Sequence, residues 1–370
     1  MKKQTKTICT CVSLTALAAF VFYASSLPTS SMLKTSLLMG ALYALLAVSM
    51  NLLNGVTGQF SLGQAGFMTL GAYTYAILSI PTGVRDNVYY LYGCAPWLKN
   101  LQAPPVVALI VAGIVAALFA FVIGKIVLRL RSDYFAIATL GFAEVVRIVV
   151  ASSWLNTITN GSLGLNNIPA ISLKPLDGMG FDSSFIVMIF IVVVCIAIMG
   201  LIKSSTYGRA FRAINDDETA AEAMGINLAS TKVTSFVISS FFAAVGGALL
   251  AMYLKAISAT TFTLATATYY ILLMVVIGGM GSFTGSIISA VLVIFAKEWW
   301  LRFLDAPAYI GSFQVPLLRS GFRMVVFSVI LMIVVLFFRQ GIMGSREFSW
   351  DGFYAFFKKF GKKQEVQNDE

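Results

Sequence analysis

Glu144 and Arg147 stand three residues apart inside the apolar run 134–151. That spacing brings a carboxylate and a guanidinium together on one face of a helix. A charge at mid-membrane costs roughly 2.5–3.5 kcal/mol on insertion scales, so the face that carries them is expected to look into a bundle or a watery cavity. The pair then serves either as an internal structural pair or as part of a path that meets the two ends of a zwitterion. A second group of polar residues lies in NLLNGVTGQFSLGQAGFMTLGAY, residues 51–73, where Asn51, Asn54, Gln59, Ser61 and Gln64 are interleaved with glycines at a membrane entry. A continuous helix gains little from such residues, whereas tight helix contacts use the small ones and unwound backbone at membrane depth must be covered by protein or line a cavity. These five side chains therefore either sit in close packing or border a path or its inner gate. GGMGSFTGS, residues 278–286, is a second interruption of this kind, with Gly278, Gly279 and Gly281 as further gate candidates.

The third concentration of chemistry is the charged stretch YGRAFRAINDDETAAEAMGINL, residues 207–228. Asn215 reads as a helix N-cap with Glu218 three residues on, and Asp216 and Asp217 fall in a first turn where the helix dipole favours acids. Gly225 supplies the stop. The expected element is a short helix over 216–224, about 13 Å long, preceded by Arg209 and Arg212. Ala220, Ala221 and Gly225 offer a small-residue face that another protein surface can approach closely.

The elements that must hold these residues follow from composition. Hydrophobic residues make up 58% of the 370, charged residues 11%, and the mean hydropathy is +0.86. A soluble domain carries about 25% charged residues, so lipid is the solvent over most of this chain. The expected fold is all-α, a polytopic bundle of about ten transmembrane helices. The candidate spans are 8–27, 32–53, 60–80, 104–128, 134–151, 184–203, 231–254, 265–280, 283–301 and 322–338. Because GGMGSFTGS joins them, 265–280 and 283–301 read as two spans, one broken span or a re-entrant pair. The positive-inside rule puts both termini in the cytoplasm, grouping Lys2, Lys3 and Lys6 with Lys125, Arg129 and Arg131, with Lys203, Arg209, Arg212 and Lys232, and with the basic tail. In soluble proteins a net charge of +10 suggests nucleic acid; here it marks a basic cytoplasmic face, and no nucleic-acid partner is expected. The domain expectation is a tail and first span over 1–31, a membrane bundle over 32–340 and an amphipathic basic tail over 341–370. The first span reads as retained, since its apolar run is long for a signal peptide and Ala24 is a poor cleavage site. Loops 81–103 and 152–183 read as structured outer caps.

Several chemistries are excluded. There is no histidine, which removes His-based triads, general bases and metal sites, and no metal site is expected. Cys9, Cys11, Cys94 and Cys195 imply no disulfide framework. No G-x-x-x-x-G-K-[ST] occurs, and GSFTGS lacks the lysine that reaches a phosphate. No cofactor is expected on this chain; ATP-driven work needs ATP-Mg on another subunit. A stand-alone ion-driven carrier would need intramembrane carboxylates, and Glu144 has an arginine beside it. A membrane enzyme would need a polar cluster at one depth.

TAAEAMG, residues 219–225, resembles the EAA-x-x-x-G loop of ABC-importer permeases, the coupling helix that docks in a cleft of the ATPase. Residues 51–73, LRLRSDYFAIATLGFAEVVR (128–147), TNGSLGLNNIP (159–169), the charged stretch and VVIGGMGSFTGSIISA (275–290) together resemble the LivM-type permease of branched-chain amino acid ABC importers over roughly 32–338. The resemblance implies a cytoplasmic coupling helix made of Arg209, Arg212, Asp216, Asp217, Glu218, Ala220, Ala221 and Gly225. It also implies a sister permease of LivH type, two ABC ATPase subunits and a periplasmic binding protein in the bacterial inner membrane. The implied cargo is leucine, isoleucine or valine, with urea, short amides or another amino acid as alternatives. Gln64 stands where many relatives carry histidine, and Asn160 and Ser162 depart from a more Gly-Pro-rich loop; both departures bear on cargo.

Overall fold

Apolar runs bounded by Pro, Ser, Asp and Asn become helices whose first turns those residues cap. The computed structural model describes residues 15–16, 19–28, 31–128, 132–172, 181–301, 309–310, 313–314, 322–337, 341–344 and 346–347. Helix α1 is Met32–Asn51, continued by a π-turn over Leu52–Val56, and α2 is Gln64–Ser79. Helix α3 is Pro105–Val127, with proline at its first position where no N–H bond is lost. Then come α4, Ser132–Ala151, and α5, Ser183–Ser204, where the Asp182 side chain accepts from the Phe185 N–H. Two short helices follow, α6 over Thr206–Asp216 and α7 over Glu218–Ala223. Helix α8, Leu228–Leu254, starts at an Asn227 cap. A π-turn over Leu264–Thr268 leads into α9, Tyr269–Gly278; α10 is Phe283–Glu298 and α11 is Phe322–Phe337.

The chain is an all-α, multi-pass membrane bundle. Among the described residues five helices are long and apolar enough to cross a membrane, and a sixth span is counted if α9 and α10, bent by 120°, form one. The 265–301 region is thus a sharply broken pair. The other expected spans coincide with helices, but α2 and α11 have only 16 residues each. For α2 the irregular stretch 57–63 explains part of this, because its glycines and serine take backbone out of the helix start. In the expected first span, residues 15–16 and 19–26 are helical, while Cys9 and Cys11 lie outside the described residues. The tail from Phe348 onward does so too.

Hydrogen bonds gather the helix ends into two groups. At one end Ala103 N–H donates to Leu78, Asp182 N–H to Ser25, and strand β1 (Leu165–Asn166) pairs antiparallel with β2 (Ala256–Ile257). There the 81–103 cap is built around Arg85, only 2% exposed, whose guanidinium donates to the carbonyls of Ile77, Ile80, Leu98 and Leu101. At the other end lie α6, α7, the α1 π-turn, the α9–α10 break and residues 341–347. Helices α1 and α8 form the centre, with 78% and 72% of their span windows buried, against 33% for each of α3, α4 and α5. The last three therefore present broad apolar faces outward.

Helices α2 and α8 cross at glycines on both sides. A Cβ on Gly71 would lie 2.2 Å from the Ala244 carbonyl oxygen, and one on Gly247 would lie 2.3 Å from that of Met68. Such contacts are backbone to backbone, so neither helix can yield by a rotamer change. Gly247→Ala is expected to push the pair apart and destabilise the protein by about 1–3 kcal/mol. The thermal midpoint of the detergent-solubilised chain reads this; an unchanged midpoint would mean that the crossing is loose.

Candidate functional site

The charged stretch folds as a helix, a one-residue break and a second helix. Phe211 and Ile214 are buried and hold α6 against the bundle, leaving Arg209 and Arg212 exposed. Arg209 donates to Thr206 Oγ1 at 2.9 Å and Arg212 Nε to the Gly208 carbonyl at 3.3 Å. The expected cap is corrected here. Asn215 and Asp216 are the last residues of α6, and Asp217 is the N-cap of α7, its carboxylate accepting from Thr219 N–H (2.8 Å) and Ala220 N–H (3.1 Å). Glu218 makes no capping box; it pairs with Lys232 of α8 at 2.7 Å. Gly225 does end the element, at φ +83°, with Ile226 N–H bonded to Ala221 and Gly225 N–H to Glu222. The expected small-residue face divides. Ala221 is buried against the chain itself, while Ala220 and Gly225 are exposed beside Met224, which is 83% exposed.

Asn215, freed from capping, donates from its side-chain amide to the Gly55 carbonyl at 3.3 Å and lies against Gly58. This links α6 to the π-turn of α1, and the same turn meets the α9–α10 break. Asn51 is fully buried. Its amide nitrogen donates to Ser282 O (2.8 Å) and Ser286 Oγ (2.7 Å), and its oxygen accepts from Gly281 N–H (2.8 Å). The backbone at Gly279 and Gly281 has φ of +109° and +92°, values that only glycine takes without strain. Gly278 packs backbone to backbone on Gly285. The two glycine-rich interruptions, 230 residues apart at the Asn51–Gly281 bond, are thus one junction.

Residues 341–344 and 346–347 pack against the junction. Ile342 N–H donates to Ile277 O at 2.7 Å and Met343 N–H to Gly278 O at 3.2 Å. The Glu347 carboxylate accepts from Phe283 N–H (2.8 Å), Thr284 N–H (3.1 Å) and Thr284 Oγ1 (2.8 Å), and pairs with Lys203, which also donates to Gly281 O. Burial alone would raise the Glu347 pKa. The Lys203 ammonium and the donors on Phe283 and Thr284 outweigh it and hold the carboxyl below its ordinary 4.5. A folded-state pKa below the unfolded one gives stability that is present above the unfolded value and lost as the pH falls through the folded one. Glu347→Gln is therefore expected to lower the thermal midpoint at neutral pH, with the gap to wild type closing as the pH drops below 4.5. Scanning fluorimetry across a pH series measures it; a gap that does not change with pH would contradict the assignment.

The remaining candidates separate by how their polar groups are used. Asn54 and Ser61 bond each other, Asn54 Oδ1 accepting from Ser61 N–H at 3.1 Å. Gln64 donates to Ser49 Oγ at 2.8 Å, and Ser239 donates to the Ser49 carbonyl. Gln59 is 7% exposed and neither its amide oxygen nor its nitrogen has a hydrogen-bond partner. Glu144 and Arg147 do form the expected pair, with Nε to Oε1 at 2.9 Å. Of the two expected surroundings, a bundle interior or a watery cavity, this chain's own bundle does not supply the first: the side chains are half-buried, 38% and 30% exposed. Neighbouring Val145, Ile148 and Val149 are exposed as well. Sequence reasoning did not single out Lys203, Glu347, Asn215 as a bridge, or Ser282 and Ser286. Apart from the two serines, which lie within GGMGSFTGS, nothing in local sequence marks their long-range partners.

Among the described residues no cluster of Cys, Asp and Glu could hold a metal, and Cys94 and Cys195 are free. Residues 32–338 match the family described as branched-chain amino acid transport system, permease component. The chain is 32% identical over 280 residues to the high-affinity branched-chain amino acid transport system permease protein LivM of Escherichia coli K12, covering 70% of this chain and 61% of that relative. It is 26% identical over 281 residues to a probable LivM of Methanocaldococcus jannaschii, covering 70% of this chain and 79% of the relative. It is also 25% identical over 190 residues to the tyrosine transport system permease protein of Clostridioides difficile, covering 50% and 60%. No solved structure matches.

Proposed function

The chain belongs to the branched-chain amino acid transport system permease family, and from that membership we propose that it is one permease subunit of an ATP-driven importer of leucine, isoleucine or valine. A sister permease of LivH type completes the path. Two ABC ATPases bind ATP-Mg and dock on α6 and α7, and a periplasmic binding protein delivers cargo at the opposite end. The protein sits in the inner membrane with both termini in the cytoplasm.

One observation carries this reading: a helix pair at one end of the bundle, its second member capped by Asp217, is hydrogen-bonded, through Asn215 and Gly55, to the junction of the two broken segments. ATPase closure moves α7. Helix α6 passes the displacement to the α1 π-turn, and Asn51 passes it to the α9–α10 break. Arg209, Arg212, Asp216 and Glu222 form the charged rim of the docking surface, with Met224 and Ala220 at its centre. Gln59, whose side-chain amide has no partner among the described residues, is free to take a new one when the helices shift. Glu144 and Arg147, half-buried on α4, belong to the side that faces the sister permease or the shared path.

The test is the ATPase rate of the assembled complex in lipid vesicles with the binding protein present. Stimulation by leucine, isoleucine or valine is expected. Uptake by this polypeptide alone would overturn the assignment. Stimulation by another amino acid only would favour a second reading with the same architecture and a different cargo, the one to which the match with a tyrosine transport permease points.

A further inference from the structure

Between the last turn of α3 and the first turns of α8 lies a cavity of about 520 Å³, beside the exposed apolar side chains of Phe121, Val122 and Ile126. Phe121, Leu128, Val233 and Val237 give it apolar walls, and Gly124 leaves its floor without a side chain. Its polar lining is Lys125, Ser230 and Thr234. The Lys125 ammonium packs over the Phe121 ring at 4.2 Å and has no acidic partner among the described residues. Glu218 of the adjoining α7 is already neutralised by Lys232. The first turn of α8 adds the positive end of a 27-residue helix, its Ser230 N–H already bonded to the Asn227 side chain. An apolar slot opening toward lipid, with an unpaired ammonium and two hydroxyls in its lining, has the chemistry of an acyl chain joined to a phosphate.

We propose that this groove holds one glycerophospholipid with a net negative headgroup, its phosphate at Lys125 and Ser230 and an acyl chain along Val233 and Val237. Basic pockets between membrane helices select anionic over zwitterionic lipid because a choline or ethanolamine brings its own cation to the lysine. The selection rests on Lys125, and retention of any lipid rests on the apolar walls.

The full chain, purified in detergent, is to be titrated with phosphatidylglycerol and with phosphatidylcholine of the same acyl chains, and bound lipid counted by native mass spectrometry. One phosphatidylglycerol per chain is expected, held about fivefold more tightly than phosphatidylcholine, as one lysine near a membrane surface provides. Lys125→Gln, an exposed position that does not disturb the core, is expected to abolish the preference. Val233→Trp, which fills the slot, is expected to release both lipids. Equal retention of the two lipids by wild type, or a preference that survives Lys125→Gln, would overturn the proposal. So would loss of the bound lipid when the chain is assembled with its partner subunits, which would make the groove a protein interface.

Discussion

Asn51→Leu is expected to abolish import and to destabilise the protein by about 3–5 kcal/mol. Leucine matches asparagine in size, so the loss is one of hydrogen bonds. Asn51 is fully buried, and removing its amide strands the Gly281 N–H and takes one bond each from the Ser282 carbonyl and the Ser286 hydroxyl. The stranded N–H costs about 1–3 kcal/mol and each of the two other lost bonds about 0.5–1.5 kcal/mol, while Ser286 Oγ and N–H go on donating to Ser282 O at 3.1 and 3.2 Å. Asn51→Asp keeps the acceptor for Gly281 N–H but sets a second carboxylate oxygen against the Ser282 carbonyl, so it is expected to fail as well. Thermal midpoints and transport in vesicles read the two effects. A leucine variant with a wild-type midpoint would show that the α9–α10 break holds its shape without the clamp.

Met224→Glu is expected to do the reverse: leave folding intact and lower cargo-stimulated ATPase activity by about thirtyfold, the scale of a central interface anchor worth 2 kcal/mol. Met224 is 83% exposed, so its side chain supports nothing within the chain, yet it stands at the end of α7 where an apolar knob needs a pocket in a partner. Ala221→Glu serves as the contrast, because Ala221 is buried and its replacement should lower the thermal midpoint itself. Gly225→Arg is a less clean probe, since φ of +83° adds backbone strain to any loss of docking. Wild-type stimulation of the Met224→Glu complex would remove α7 from the docking surface.

How much of this was readable in sequence depended on whether the deciding contact was local. The run 104–128 became Pro105–Val127 because nothing interrupts it and proline starts it. The break was legible in the glycines of GGMGSFTGS, and the 120° bend fits one broken span or a re-entrant pair. The charged stretch was recognised as capped helix, but its start was misplaced. Asn215 and Asp217 are both good caps, and the choice was made by Phe211 and Ile214, which bury one face of the preceding turns and extend α6 to Asp216. Glu144 and Arg147 illustrate a different limit. Their i, i+3 spacing predicted the pair, but which face of α4 the bundle covers is set by α2 and α8, far away in sequence. The Asn51–Gly281 and Lys203–Glu347 contacts were illegible for the same reason, and Glu347 lay in a stretch read only as a basic tail.

The account turns on α7 being the surface that meets the motor. In the assembled importer, with native cysteines replaced, Met224→Cys should form a disulfide or bismaleimide link to a cysteine in the cleft of an ATPase subunit, and ATP-driven closure should change its yield. A cysteine at 224 that never links to the ATPase and is instead modified in intact cells by a membrane-impermeant maleimide would contradict the coupling role and the orientation together.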